Sequence, residues 1–243
     1  MSLYKLIIED LYKWIRSYVR DKNVIIGISG GKDSSVVAAL CVNALGADKV
    51  IGVMLPNGTQ KDIQDAEDII NHLGIRKIKM NIEKISNEFD NLILEVGEIN
   101  GAYKTNTPAR IRMTMLYGIA AVIGNSLVAA TSNLSEKYIG WETKWGDNVG
   151  DFAPLANLTV TEIIEIGKLI LPERFVIKPP EDGLTGKTDE ENFGFKYEDV
   201  DNLIRNKKDK ISSPESYKKI LKMHILSSHK RNPIPSYKKW GEE

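Results

Sequence analysis

Residues 24–35 read VIIGISGGKDSS, and their types and spacing point to phosphate chemistry. Val24, Ile25, Ile26 and Ile28 make a short apolar run, the pattern of a strand buried on both faces. Gly27, Ser29, Gly30 and Gly31 punctuate and follow it, and glycine lets the backbone turn sharply and approach a ligand closely. Ser34 and Ser35 are expected to cap the helix that comes next. Free N–H groups at such a helix start attract anions, phosphate above all. The loop is not a Walker A motif, which needs four residues between its glycines and then Gly-Lys followed by Ser or Thr. Here Lys32 is followed by Asp33. A carboxylate beside a phosphate cradle repels the anion unless a cation lies between them, so Asp33 reads as an Mg2+ ligand.

A second stretch dense in chemical groups is TSNLSEKYIGWETKWGDNVGD, residues 131–151. Glu136 is placed to join Asp33 on the metal, since Mg2+ is held by one or two carboxylates together with phosphate oxygens. Trp141 and Trp145 offer rings for a base, while Lys144 and Asp151 offer contacts to a charged substrate or to ribose hydroxyls.

The elements that must position these groups follow from periodicity. Leu3, Ile7, Leu11, Trp14 and Tyr18 fall at helical spacing. Strands are expected over 24–29, 50–55, 77–80 and 126–130. Helices are expected over 34–45, 60–73, 82–96, 108–123, 161–171, 197–205 and 214–226, with a basic tail from His229. Strands alternating with helices predict an α/β fold with a doubly wound parallel sheet flanked by helices. Ligands of such sheets bind beyond the C-terminal strand ends, where the glycine loop, Leu55-Pro56 and Thr131-Ser132 all fall. Residues 178–196 form a Pro/Gly/acidic segment too long for a plain connection and are expected to act as a lid.

Composition narrows the function further. The 243 residues suit one large domain better than two, so 1–243 is expected to be a single unit. Lys+Arg and Asp+Glu both total 33, so no global field draws in nucleic acid or an anionic membrane. No apolar run approaches membrane-spanning length, and the N-terminus lacks a signal-peptide pattern, so a cytoplasmic location is expected. The one cysteine, Cys41, excludes disulfide frameworks and CxxC sites and reads as a small buried hydrophobe. His72 and His224 read as structural.

SGGKDS resembles the pyrophosphate loop of ATP pyrophosphatases, which split ATP between its α- and β-phosphates. With ARIRMTMLY, TSNLSEKYIGWETKWGDNVGDFAPLANLT, KPP…TDE and HKRNPIP in that order, the chain resembles the ammonia-dependent NAD synthetases nearly end to end. The resemblance implies a Rossmann-like nucleotide hydrolase fold, no glutaminase domain, and a homodimer. It implies ATP, deamido-NAD and ammonia as substrates, with Mg2+. It places ATP on Gly27, Ile28, Ser29, Gly30, Gly31, Lys32, Asp33, Ser34 and Thr131, and the metal on Asp33 and Glu136. Lys32 and Asp33 carry the catalytic role, and deamido-NAD falls to Arg110, Lys144, Asp151, His229 and Lys230. Arg112 lies about 200° from Arg110 around a helix, so the two cannot face one ligand equally. The chain departs from the family at Val160 and Glu181, positions associated with ATP phosphates, where Lys178 or Lys187 would have to compensate. Two other readings fit the loop: a tRNA-thiolating pyrophosphatase, disfavoured by the neutral charge and single cysteine, and an ATP sensor without turnover, disfavoured by the paired carboxylates.

Overall fold

The computed structural model describes residues 2–60, 63–177 and 188–237. Its centre is a four-stranded parallel sheet: β1 (Asn23–Gly27), β2 (Val50–Met54), β3 (Arg76–Lys79) and β4 (Ser126–Ala129), in the order β3-β2-β1-β4. β1 lies in the middle, with Ile25 in register with both Ile51 and Val128. Successive side chains of a strand point to opposite faces, and helices cover both. Val24 and Ile26 pack with α1 (Leu3–Val19), α2 (Lys32–Leu45), α3 (Ile63–Leu73) and α7 (Val160–Ile170). Ile25, Ile51 and Val128 pack with Ile82, which leads into α4 (Glu83–Leu94), and with Ile111, Leu116 and Ala120 of α5 (Gly101–Ile123). Ile25 is 0% exposed, and full burial of such a side chain is worth about 1.5–3 kcal/mol. A third apolar cluster joins α6 (Leu134–Ile139) to α9 (Tyr197–Ile204) and α10 (Pro214–Leu226) through Ile139, Val160, Tyr197, Val200 and Ile220.

α2, which leaves β1, and α5, which leads into the neighbouring β4, lie on opposite faces of the sheet, so a crevice opens beyond the C-terminal ends of these two strands. The doubly wound parallel sheet expected from the sequence is thus the one observed. Local boundaries differ in instructive ways. α2 begins at Lys32, with Gly31 as a cap that makes no side-chain bond. Ser34 and Ser35 sit inside the first turn and donate to the Gly31 carbonyl at 3.1 and 2.8 Å, tying helix to loop. α5 starts seven residues before Pro108 because the Asn100 side chain caps it by accepting the Tyr103 N–H. Three helices lie in stretches read as loop or tail: α6, α8 (Asp189–Phe193) and α11 (Ser228–Arg231). α6 and α8 are started by capping boxes, Asn133 with Glu136 and Thr188 with Glu191. Much of the expected lid, with Lys178, Glu181 and Lys187, lies outside the described residues.

Candidate active site

The glycine loop runs from β1 to α2 through Gly30, whose φ of +86° suits glycine and few other residues. Ser29 stabilises the turn: its N–H donates to Ser34 Oγ at 3.3 Å, and its own Oγ accepts the Gly31 N–H at 3.2 Å. Gly27 is tight for a different reason, since a Cβ there would lie 3.2 Å from Leu116. Thr131 lies two residues past the end of β4, the strand beside β1.

At the start of α2 the structure gathers four charged groups. The Lys32 side chain is buried, 3% exposed, and its ammonium donates to Asp33 Oδ2 at 2.8 Å. Asn133 donates its side-chain amide to Asp33 Oδ1 at 3.3 Å and its backbone N–H to Glu136 Oε2 at 3.2 Å. Asp189, at the first turn of α8 and 5% exposed, accepts the Tyr197 hydroxyl at 3.1 Å. The Lys32 ammonium also lies 5.9 Å from the Tyr197 ring centre. Electrostatics knit the group together. Burial alone would lower the Lys32 ammonium, but Asp33, Glu136 and Asp189 together hold it above its ordinary value. The Glu136 carboxyl is pushed well up, by burial first and by Asp33 second. Burial, then Glu136 and Asp189, do the same to the Tyr197 hydroxyl. Two carboxylates that repel each other beside one ammonium make a set of hard oxygen donors of the kind a divalent cation takes. Among the described residues, no three His, Cys, Asp or Glu side chains converge to hold a metal unaided. Mg2+ does not require three, since it keeps water and phosphate oxygens as ligands.

The residues matched to deamido-NAD divide into two groups. Arg110 on α5 is exposed and donates through Nε to the Lys144 carbonyl at 3.2 Å. Lys230 on α11 shares that neighbourhood: burial first lowers its ammonium, Glu142 and Asp147 oppose, and Arg110 lowers it further. Its ammonium donates to the Gly140 and Glu142 carbonyls at 2.6 and 2.5 Å, so it pins the end of α6. Arg231 beside it donates to the carbonyls of Lys137, Tyr138 and His224. His229 is exposed next to both. Asp151 lies elsewhere, on the outer edge of β4. Its carboxylate accepts the Val128 N–H at 2.7 Å and the Tyr117 hydroxyl at 3.4 Å, and its carbonyl accepts the Tyr18 hydroxyl at 2.6 Å. None of those partners belongs to the Lys32 group. Gly150 holds this loop against the strand, since a Cβ there would lie 2.6 Å from the Ala130 nitrogen.

Other expectations resolve as follows. Arg112 points away from Arg110 and donates to the Leu55 carbonyl at 2.9 Å, beyond β2. Trp141 packs edge-on against Phe193 at 5.3 Å, so its ring serves the third apolar cluster. Trp145 is 53% exposed, with the Lys144 ammonium 5.2 Å from its ring centre. Val160 is buried in that same cluster as the first residue of α7. His72 packs on Phe175, and His224 stacks on Tyr138 at 4.0 Å. Cys41 is buried, which pushes its thiol up to about 12. Asn133, Asp189 and Tyr197 at the Lys32 group went unremarked as site residues in the sequence. The signal for the first two was present as the capping boxes Asn133-x-x-Glu136 and Thr188-x-x-Glu191.

A family model described as NAD synthase matches residues 7–234, from within α1 to beyond α11. The chain belongs to the NAD synthase family. Both halves of the site lie within the matched span. Among curated relatives, the NH(3)-dependent NAD(+) synthetase of Methanocaldococcus jannaschii is 42% identical over 82% of this chain and 80% of its own length. Among solved structures, the NMN synthetase of Francisella tularensis superposes with a TM-score of 0.88 at 31% identity, covering 98% of this chain and 99% of its own. The NH3-dependent NAD synthetase of Campylobacter jejuni, solved with nitrate ion, gives 0.80 at 27% identity over 98% and 100%. No helix among the described residues is long and apolar enough to cross a membrane.

Proposed function

We propose that the chain catalyses the ATP-dependent amidation of deamido-NAD with ammonia, giving NAD, AMP and pyrophosphate. The observation that carries this reading is the Lys32–Asp33–Glu136 group at the mouth of the glycine loop, in a chain of this family. A carboxylate is a poor electrophile and oxide a poor leaving group, so adenylation must come first. The nicotinate carboxylate attacks the α-phosphorus of ATP, and the bond to the bridging oxygen breaks, releasing pyrophosphate. Ammonia then attacks the acyl-adenylate carbonyl, AMP leaves, and a proton is lost to solvent. No covalent bond to the protein is needed.

The chain's work is positioning and charge stabilisation. Support for the ATP site on 27–34 and Thr131 comes from the glycine turn and from their convergence at the crevice between β1 and β4. Lys32 opposes charge developing on the departing pyrophosphate. Asp33 and Glu136 would hold Mg2+, which supplies neutralisation of the phosphate oxygens when bound. Arg110, Lys144, Asp151, His229 and Lys230 make the proposed deamido-NAD set. Within it, Arg110 and His229 are exposed and Lys144 half-buried, whereas Lys230 and Asp151 shape the loop that presents them. A homodimer is supported by the apolar groups that α4 leaves exposed, Phe89, Leu92 and Leu94 among them. A cytoplasmic location, a single synthetase domain and no nucleic-acid partner complete the reading.

One incubation tests it: Mg-ATP, deamido-NAD and ammonium, with NAD, AMP and pyrophosphate followed together. Equimolar products are expected. ATP cleavage without NAD would mean another acceptor, and binding of ATP without turnover would mean a sensor. A second reading, amidation of nicotinate mononucleotide, is favoured by the likeness to the Francisella tularensis NMN synthetase. Comparing kcat/KM for the two acceptors decides between them.

A further inference from the structure

Asn133 has a side chain that is 0% exposed, yet every polar group it owns near the crevice is engaged. Its Oδ1 accepts the Glu136 N–H at 2.9 Å, its backbone N–H donates to Glu136 Oε2 at 3.2 Å, and its Nδ2 donates to Asp33 Oδ1 at 3.3 Å. The first two bonds are an ordinary capping box, and any good N-cap would make them. The third is not. It crosses from the N-cap of α6, four residues past β4, to the first turn of α2, between positions 100 apart in the chain. Only an amide offers both an acceptor for the helix and a strong donor for a second carboxylate from one rotamer. Aspartate would cap equally well but turn a third negative oxygen toward Asp33. Serine would cap but has no second arm.

We propose that Asn133 is a positioning residue that fixes the spacing of Asp33 and Glu136 for a divalent cation on ATP. The inference rests on the reading that these two carboxylates bind that cation. Two like charges brought together by burial tend to swing apart, toward solvent or toward Lys32. Asn133 restrains both at once, one through its side chain and the other through its backbone. Groups that orient metal ligands in this way change metal affinity about 10–100-fold when removed.

The test uses Asn133→Ser, which keeps the cap and deletes the amide, with Mn2+ as probe and a non-hydrolysable ATP analogue present. Mn2+ affinity is read by water-proton relaxation, alongside KM for Mg-ATP, KM for deamido-NAD and the melting temperature. We expect Mn2+ affinity to fall about 10-fold or more. KM for Mg-ATP should rise with it, while KM for deamido-NAD and the melting temperature stay close to wild type. A merely structural role would move the melting temperature and spare the Mn2+ affinity, and that result overturns the proposal. Should Asn133→Ser fold poorly, Asn133→Gly, also a tolerated cap, carries the same expectation. Asp33→Ala serves as the reference. If it weakens Mn2+ binding and the Asn133 variants do not, the positioning role fails alone. If it too leaves Mn2+ binding unchanged, the metal reading falls and the proposal with it.

Discussion

Replacing Lys32 by methionine removes one buried ammonium at nearly constant volume and leaves Asp33, Glu136 and Asp189 without their shared cation. The Lys32–Asp33 contact is 2.8 Å, and the lysine side chain is 3% exposed, so solvent cannot take over the lost charge. Breaking a buried pair by deleting one partner costs about 3–5 kcal/mol. For a chain of this size that corresponds to a fall of roughly 6–20 °C in melting temperature. The deficit should depend on pH, with a definite sign. Burial and Asp33 already hold the Glu136 carboxyl above its ordinary value, with Lys32 pulling it down. Deleting Lys32 lifts it further. Between the ordinary carboxylate value of about 4.3 and that raised value, the folded chain binds more protons than the unfolded one. Stability therefore falls as pH rises through this window, and the variant should compare worst with wild type at pH 8 and recover toward pH 5. Pyrophosphate release should also drop, by about 100- to 1,000-fold, the usual cost of one charge-stabilising group. Thermal melts from pH 5 to pH 8 and a coupled pyrophosphate assay read both effects. A melting temperature unchanged at pH 8, or a deficit growing toward acid, would refute the electrostatic account of this group.

Three further outcomes follow from the structure. Arg110→Ala should raise KM for deamido-NAD about 10- to 100-fold, since bonds to charged groups are worth about 1.5–3 kcal/mol, and leave KM for ATP nearly unchanged; steady-state kinetics with each substrate varied checks it. Ile163→Ala, at a side chain 0% exposed in the core where α7 packs on α1 and α2, should cost about 2–5 kcal/mol in urea unfolding without altering KM for either substrate. Cys41, its thiol pushed up to about 12, should resist a thiol-specific reagent at pH 8 in the native chain and react fully once the chain is unfolded in denaturant.

Much of the architecture is local in origin and was legible for that reason. The strand expected over 24–29 announces itself by a short apolar run, and the helix expected over 60–73 by apolar spacing that ends at a glycine. The glycine turn and the Lys-Asp pair lie next to each other in the chain, so their chemistry could be read without a fold. The short helices were legible in principle through Asn133-x-x-Glu136 and Thr188-x-x-Glu191, because a capping box is a four-residue signal. They were hidden by surroundings rich in glycine and charge. Ser34 shows the opposite limit. Its type fits a cap, but the loop tightens so that Gly31 takes that place and the serine bonds back to the turn.

Residue type and spacing by themselves determined the α/β class and marked the glycine turn and the carboxylates Asp33 and Glu136 as candidates for phosphate chemistry, while the family showed itself in the resemblance of several motifs taken in order. Only the tertiary structure decided which polar groups share a space. It brought Asp189 and Tyr197 under Lys32, joined Asn133 to Asp33, placed Arg112 on the Leu55 carbonyl, and turned the Lys230 ammonium onto the end of α6. It also made Val160 a core residue of a cluster formed by segments far apart in the chain. Periodicity reports which face of an element is buried. It does not report what lies opposite, because that depends on how elements separated by tens of residues cross, and the charge state of a buried group is set by those neighbours.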